Sequence, residues 1–300
     1  MRYIIKQILL LTFIFIGSYV NAQQEKYHQK FKEDFSGSPT VNFQLNPTSK
    51  GDDFTYILGA DSPTEPGTKS LIMKIDPDAK EGAGKGPELI SNYFTHFGTY
   101  AARLKIPKVS DIQPNVGAVV GYFTYHRDSI PGLSEIDFEW LLADPEIIYI
   151  GTWTGQRGKL KRVGRTINMA KGIIYCTEYK ERPGEVRNLL TGIQNQPDTI
   201  PAIKHYDASS QFYTYGFNWY PDRIRWWMLQ PETADTIVLW DYQGSQVGIP
   251  QNRSQYRLNF WYTNSWPVET NPNSIEKPAY PYELEVDWML YNPLKKLDSI

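Results

Sequence analysis

The chain has 300 residues, 41% of them hydrophobic, and a formal net charge of -2. That near balance, with no Lys/Arg stripe interleaved with aromatics, excludes nucleic acid as the expected partner. A single cysteine, Cys176, rules out an intramolecular disulfide, so stability must come from a core that a chain this long can build as one domain. Aromatics stand out at 14%, including 9 Trp and 21 Tyr; such flat rings with one polar handle suit both a large β core and stacking on sugars.

In chain order, residues 1–22 read as a secretory signal peptide: basic Arg2 and Lys6, an apolar run from Ile8 to Ile16, then Val20-Asn21-Ala22 in small-residue cleavage style. It is too short and wrongly flanked for a membrane anchor, and no cysteine follows for a lipid. The expected product is a secreted or periplasmic protein with one domain, 23–300. Gly37 to Gly86 is rich in Gly, Pro, Ser and Asp and predicts peripheral strands and loops.

Short alternating runs then dominate, with little helical periodicity: 100–106, 116–125, 147–153, 212–219, 224–229, 236–240, 255–262 and 282–290. Turn residues separate them, as at Tyr220-Pro221-Asp222. Many strands divided by turns predict an all-β fold, an antiparallel sandwich. Thr263 to Pro281 is long and proline-rich, the kind of irregular stretch that is usually functional.

One run is chemically unusual. Ser134 to Trp140, SEIDFEW, places Glu135, Asp137 and Glu139 on one strand face and Ile136, Phe138 and Trp140 on the other. Three like charges on one face repel, and Asp is a poor strand residue. On a wet convex face they would be a solvated row. In a concave, aromatic-lined face they would form a catalytic set. Two carboxylates four residues apart start about 13 Å apart at Cα but can lean together across the middle residue. Retaining glycosidases need their carboxyl groups only about 5 to 5.5 Å apart, one as nucleophile and one as acid/base. A carboxyl between them would orient one glutamate and couple their protons.

The run Glu135-Ile-Asp137-Phe-Glu139 resembles the E-x-D-x-E signature of glycoside hydrolase family 16, and specifically its lichenase-like endo-β-glucanase branch. The likeness extends over ELISNYFTHFGTYAARLKIP (Glu88 to Pro107), GYFTYH (Gly121 to His126), FYTYGFNWYPDRIRWWM (Phe212 to Met228), RLNFWYTNSW (Arg257 to Trp266) and YELEVDWMLY (Tyr282 to Tyr291). It implies a β-jelly-roll (concanavalin A-like) sandwich with a concave cleft, and a polysaccharide substrate with a β-1,3-1,4- or β-1,3-glucan backbone. It also implies Glu135 as nucleophile, Asp137 as helper and Glu139 as acid/base. Asn259, Trp261, Trp153 and Tyr125 match sugar-contacting positions, and Asp287 matches a structural calcium position in some relatives. No cofactor is implied for catalysis, and a monomer is expected. Trp266, in the proline-rich stretch, is a further sugar platform by its chemistry.

The sequence departs from that pattern at Ile90, where an arginine is usual, at Tyr213, where a histidine is usual, and at Gly151, where an asparagine is usual; each lies at or near the cleft in relatives. The single residue between Asp137 and Glu139 favours the lichenase-like branch, since laminarinase and agarase relatives have a second residue there. A transglycosylase on the same fold and a non-catalytic carbohydrate-binding protein remain the alternatives. His28, His96, His126 and His205 show no metal-ligand spacing and read as ordinary surface or turn residues. Cys176 reads as a small buried side chain, and Trp226 and Trp227 point to opposite faces, each read as core.

Overall fold

The computed structural model describes residues 26–37, 40–46, 54–62, 65–181, 187–270 and 273–295. The expected signal peptide lies outside them. Five strands precede the middle of the chain: β1 (Phe31–Glu33), β2 (Phe43–Leu45), β3 (Phe54–Asp61), β4 (Lys69–Ile75) and β5 (Glu88–Ser91). Next come β6 (Gly98–Lys105), β7 (Ala118–Arg127), β8 (Leu133–Leu141), β9 (Ile147–Gly155), β10 (Lys161–Asn168) and β11 (Ile173–Glu181). The chain continues with β12 (Arg187–Leu189), β13 (Tyr213–Trp219), β14 (Ile224–Leu229), β15 (Thr236–Tyr242), β16 (Gln255–Tyr262) and β17 (Tyr282–Pro293).

These strands form two antiparallel sheets. The cleft sheet runs β12-β11-β10-β9-β8-β7-β16-β5-β2. The outer sheet runs β15-β14-β13-β6-β17-β4-β3, with β1 also paired to β17. The sandwich expected from alternation is therefore the fold. β10, which the alternation did not single out, and β11, whose IIYCTEY run does alternate, extend the cleft sheet beyond β9. The Gly- and Pro-rich early region is less peripheral than its composition suggests, because β4 sends Leu71, Met73 and Ile75 into the core.

Period-two alternation on β8 builds the centre. Ile136, Phe138 and Trp140 are fully buried, and Phe138 stacks on Trp140 while Trp140 meets Tyr215 of the outer sheet at 4.7 Å. Burying each such aromatic contributes about 2–3 kcal/mol. Polar ties fix how the sheets sit: Trp226 Nε1 donates to the Asp137 carbonyl at 3.1 Å, and Tyr256 Oη donates to the Ala101 carbonyl at 2.9 Å. Because the apolar side of β8 is locked inward, its acidic side must face away from the core.

The proline-rich stretch has no strand among its described residues, yet it is held in place. Trp266, Val268 and Ile275 pack on a second apolar cluster of Val119, Leu141, Ala143, Ile147 and Tyr149. Asp144, wholly buried in the turn after β8, accepts the backbone N–H of Glu269 at 2.6 Å and of Thr270 at 3.3 Å. The loop thus becomes one wall of the sheet's outward face.

Candidate active site

Strand register assembles the site. On β8, Glu135 lies between Tyr125 of β7 and Trp153 of β9, Asp137 between Phe123 and Gly151, and Glu139 between Gly121 and Tyr149. On the far side of β7, β16 sets Arg257 beside Phe123 and Asn259 beside Gly121. A hollow of about 340 Å³ opens over this surface, with the three carboxyl groups on its floor and Phe123, Tyr125 and Trp261 among its walls. A second hollow of about 640 Å³ adjoins it across Trp261, lined by Tyr149, Arg162, Glu178, Lys180 and Trp266. The acids are the floor of a walled cleft and not a solvated row.

Local packing fixes each group. The Glu135 carbonyl accepts the Thr152 hydroxyl at 2.6 Å, tying β8 to β9 at the first acid. Gly121 is required beside Asn259: a Cβ there would sit 2.4 Å from Asn259 Oδ1. That Oδ1 is buried with no hydrogen-bond partner among the described residues, an arrangement that waits for a donor such as a sugar hydroxyl. Trp261 and Trp266 stand edge to face, 6.4 Å apart, and Trp266 meets Tyr149 at 5.1 Å. Trp153 lies beneath the guanidinium of Arg162, 5.5 Å from its ring centroid.

Electrostatics distinguishes this cluster from a surface acid patch. Burial, followed by the charge of Glu139, pushes the Glu135 carboxyl up to about 8. Burial and then the two flanking glutamates hold Asp137 well above the usual carboxylate range. Burial also raises Glu139, against which the Arg162 guanidinium acts. Three carboxyls so placed cannot all ionise near neutral pH, and they titrate as one unit. Asp137, pressed from both sides, is the natural holder of a shared proton.

Several positions differ from expectation. Tyr213 does not reach the cleft; it shares the inward face of β13 with Tyr215, Phe217 and Trp219 and packs 4.9 Å from Tyr206 in the core. Cys176 is half-exposed and borders the second hollow, because β11 turns Cys176, Glu178 and Lys180 toward the cleft. The residues around Asp287 do not fit a calcium ion. Its Oδ2 accepts from Arg103 Nη1 at 2.6 Å, so a guanidinium already occupies the position a cation would take, and no cluster of His, Cys, Asp or Glu among the described residues is placed to hold a metal. His28 is not a surface residue: it is buried between Phe31 and Tyr93, and burial holds it down to about 4, while His126 pairs with Asp128 at 3.0 Å. Trp226 is core, and Trp227 faces outward to Asn218. Ile90 is buried next to Arg257, and Gly151 lies on the cleft floor opposite Asp137.

Sequence reasoning missed Arg162, Arg257, Glu88 and Tyr149. Arg257 donates to Glu88 Oε1 and to Gln255 Oε1, both at 3.0 Å, and lies over Tyr125 at 5.1 Å. It stands two residues before Asn259 in RLNFW, so alternation from Asn259 would have placed it on the same face.

No protein-family model matches the chain. A β-glucanase from Brevibacillus brevis is 25% identical over 218 residues, which is 70% of this chain and 61% of that protein's own length. Among solved structures, a prokaryotic β-1,3-1,4-glucanase (lichenase) from a mouse hindgut metagenome aligns with a TM-score of 0.52 and 18% identity, covering 89% of this chain and 100% of that one. The Crh5 transglycosylase in complex with NAG aligns with a TM-score of 0.51 and 14% identity, covering 89% of this chain and 85% of that one. These structures share the jelly-roll sandwich of this chain. Among the described residues, no helix is long and apolar enough to cross a membrane.

Proposed function

We propose that the protein is a retaining, endo-acting glycoside hydrolase that cuts internal β-linkages of a polysaccharide, with a β-1,3-1,4- or β-1,3-glucan as substrate. The observation that carries this reading is the row of Glu135, Asp137 and Glu139 on one face of β8, gathered on the floor of an aromatic-walled cleft. In a binding protein such a row would only cost stability. The likeness to β-glucanases supports the choice of sugar.

In this mechanism Glu139 enters protonated and gives its proton to the departing sugar oxygen. Glu135 attacks the anomeric carbon in its ionised form, the minor one below about pH 8, forming a glycosyl ester. Asp137 keeps the shared proton and donates a hydrogen bond to Glu135, which favours the ionised nucleophile. Glu139, now a base, deprotonates the water that opens the ester and restores both groups. The chemistry runs on carboxyl groups alone. Tyr125, Trp153, Trp261 and Trp266 stack on sugar rings, and Asn259 Oδ1 accepts a sugar hydroxyl. The protein would act outside the cytoplasm as a monomer after residues 1–22 are removed.

A second reading keeps the same ester but passes it to a sugar hydroxyl, which would make the protein a transglycosylase; the second hollow beyond Trp261 offers room for an acceptor chain. One experiment tests both. The purified chain is incubated with barley mixed-linkage glucan and laminarin, with and without added acceptor oligosaccharide, and Glu135→Gln serves as control. Oligosaccharides released by the wild type alone support hydrolysis, and longer products with acceptor support transfer. Absence of release from either glucan refutes the proposed substrate.

A further inference from the structure

We propose that Arg162 is a positioning residue that sets how many charges the acid cluster carries, acting across a cleft floor kept bare by Gly151 and Gly164. This rests on the hydrolase reading above.

The geometry is specific. Arg162 lies opposite Trp153 on β9, and Trp153 lies opposite Glu135. The guanidinium does not extend outward into solvent but folds back over Gly164, within 3.1 to 3.3 Å of where a Cβ on that glycine would stand. Gly164 is opposite Gly151, and Gly151 is opposite Asp137. Along the line from the guanidinium to the central acid, both intervening residues therefore lack side chains. A side chain at 164 would displace the guanidinium, and a Cβ at 151 would stand 2.6 Å from the Val163 carbonyl oxygen and push β10 away from β9.

The other charged groups around the cluster are already engaged or lie to one side. Arg257 on β16 is paired with Glu88 on β5. On β11, Lys180 is paired with Glu178 at 3.0 Å. On Glu135 the exposed Arg127 at the end of β7 acts more strongly than Arg162, and Arg257 acts there as well, whereas Arg162 favours ionisation of all three acids. Tyr125 and Tyr149 contribute hydroxyls, burial raising that of Tyr149 well above its usual range, and Glu81 and Glu269 line the second hollow. Arg162 itself has no hydrogen-bond or ion-pair partner among the described residues, and its guanidinium rests over the face of Trp153. It is a cation committed to the cluster.

A guanidinium does not lose its proton, so it supplies a fixed positive charge at every working pH. The retaining mechanism needs one carboxyl protonated and one ionised at the same pH. Burial and mutual repulsion would hold too many protons in the cluster, and Glu135 would be a neutral, inactive nucleophile. The Arg162 charge lowers the pH at which each of the three carboxyls ionises, and so cuts the number of protons the cluster holds. A glycine floor transmits that field with little screening, because no side chain or its hydration intervenes.

The test compares wild type, Arg162→Gln and Arg162→Lys in two measurements. The first is kcat/KM against pH on whichever glucan the wild type cleaves. The second is carbon NMR titration of the side-chain carboxyl carbons, which needs no substrate. Arg162→Gln should move the acidic limb of the rate profile up by about one pH unit, and the carboxyl carbons should titrate higher by the same amount. Arg162→Lys, which keeps the charge, should return both close to wild type. An unmoved limb with a raised KM would overturn the inference and make Arg162 a sugar ligand. Unmoved carboxyl titrations in Arg162→Gln would overturn it as well. If the wild type cleaves no glucan, the hydrolase reading fails while the carbon titration still decides what Arg162 does to the cluster.

Discussion

Glu135→Gln should make the protein more stable, and by an amount that grows with pH. In the folded chain the Glu135 carboxyl is pushed from an ordinary 4.5 up to about 8. Between those values the folded state binds more protons than the unfolded state, so stability is highest below the ordinary value and falls as pH rises through the folded one. At pH 7 the deficit for this one group reaches about 3 kcal/mol. Glu135 is partly exposed and shares its protons with two neighbours, so about half of that, ~1–2 kcal/mol, is the effect that removing the charge should recover. For a domain of this size that is a rise in Tm of roughly 2–6 °C. The assay is thermal unfolding of wild type and Glu135→Gln from about pH 4 to pH 9. The two curves should meet near the acid end and diverge toward alkaline pH, with the variant above. A variant that is less stable at pH 8, or a gap that does not change with pH, would refute the claim that the acids are held together against their own repulsion.

Three further outcomes follow from the packing. Gly121→Ala would put a Cβ 2.4 Å from Asn259 Oδ1; displacing that amide should lower kcat/KM on the cleaved glucan by about tenfold or more, or ~1.4 kcal/mol. Trp266→Ala removes an aromatic wall of the second hollow; KM for long oligosaccharides should rise about tenfold with kcat little changed. Arg165 is buried against Trp240 and donates to Thr177 Oγ1, Asn195 Oδ1 and the carbonyls of Pro197 and Leu239. Arg165→Met, which leaves both carbonyls without their donor, should cost ~3 kcal/mol, read as a lower urea midpoint at unchanged slope.

What could be read from sequence was whatever depends on neighbours along one strand. Alternation alone put Glu135, Asp137 and Glu139 on the face opposite Ile136, Phe138 and Trp140, because the apolar three admit one direction only. The same rule, applied to YTYGFNW, puts Tyr213 with Tyr215, Phe217 and Trp219 in the core; the family resemblance suggested the cleft, and the local pattern was the better guide. What could not be read depends on which strand lies beside which. Arg162 sits in KRVGRTIN, whose mixed charges look like any exposed strand, and its meaning comes only from pairing β10 against β9. Cys176 reads as apolar filler until β11 is placed next to β10 with Cys176, Glu178 and Lys180 toward the cleft. The irregularity of the proline-rich loop was legible, but its attachment was not, since Asp144 and Glu269 are far apart in the chain and joined by a hydrogen bond to backbone.

The central claim is that Glu135 and Glu139 share one bond cleavage through a covalent ester with retention. Proton NMR of the first product released from a cleaved glucan tests it most directly, because the anomeric signal reports configuration before mutarotation blurs it. The account predicts the β-anomer first, from the wild type and not from Glu135→Gln. An α-anomer first, or release that persists in Glu135→Gln, would contradict it.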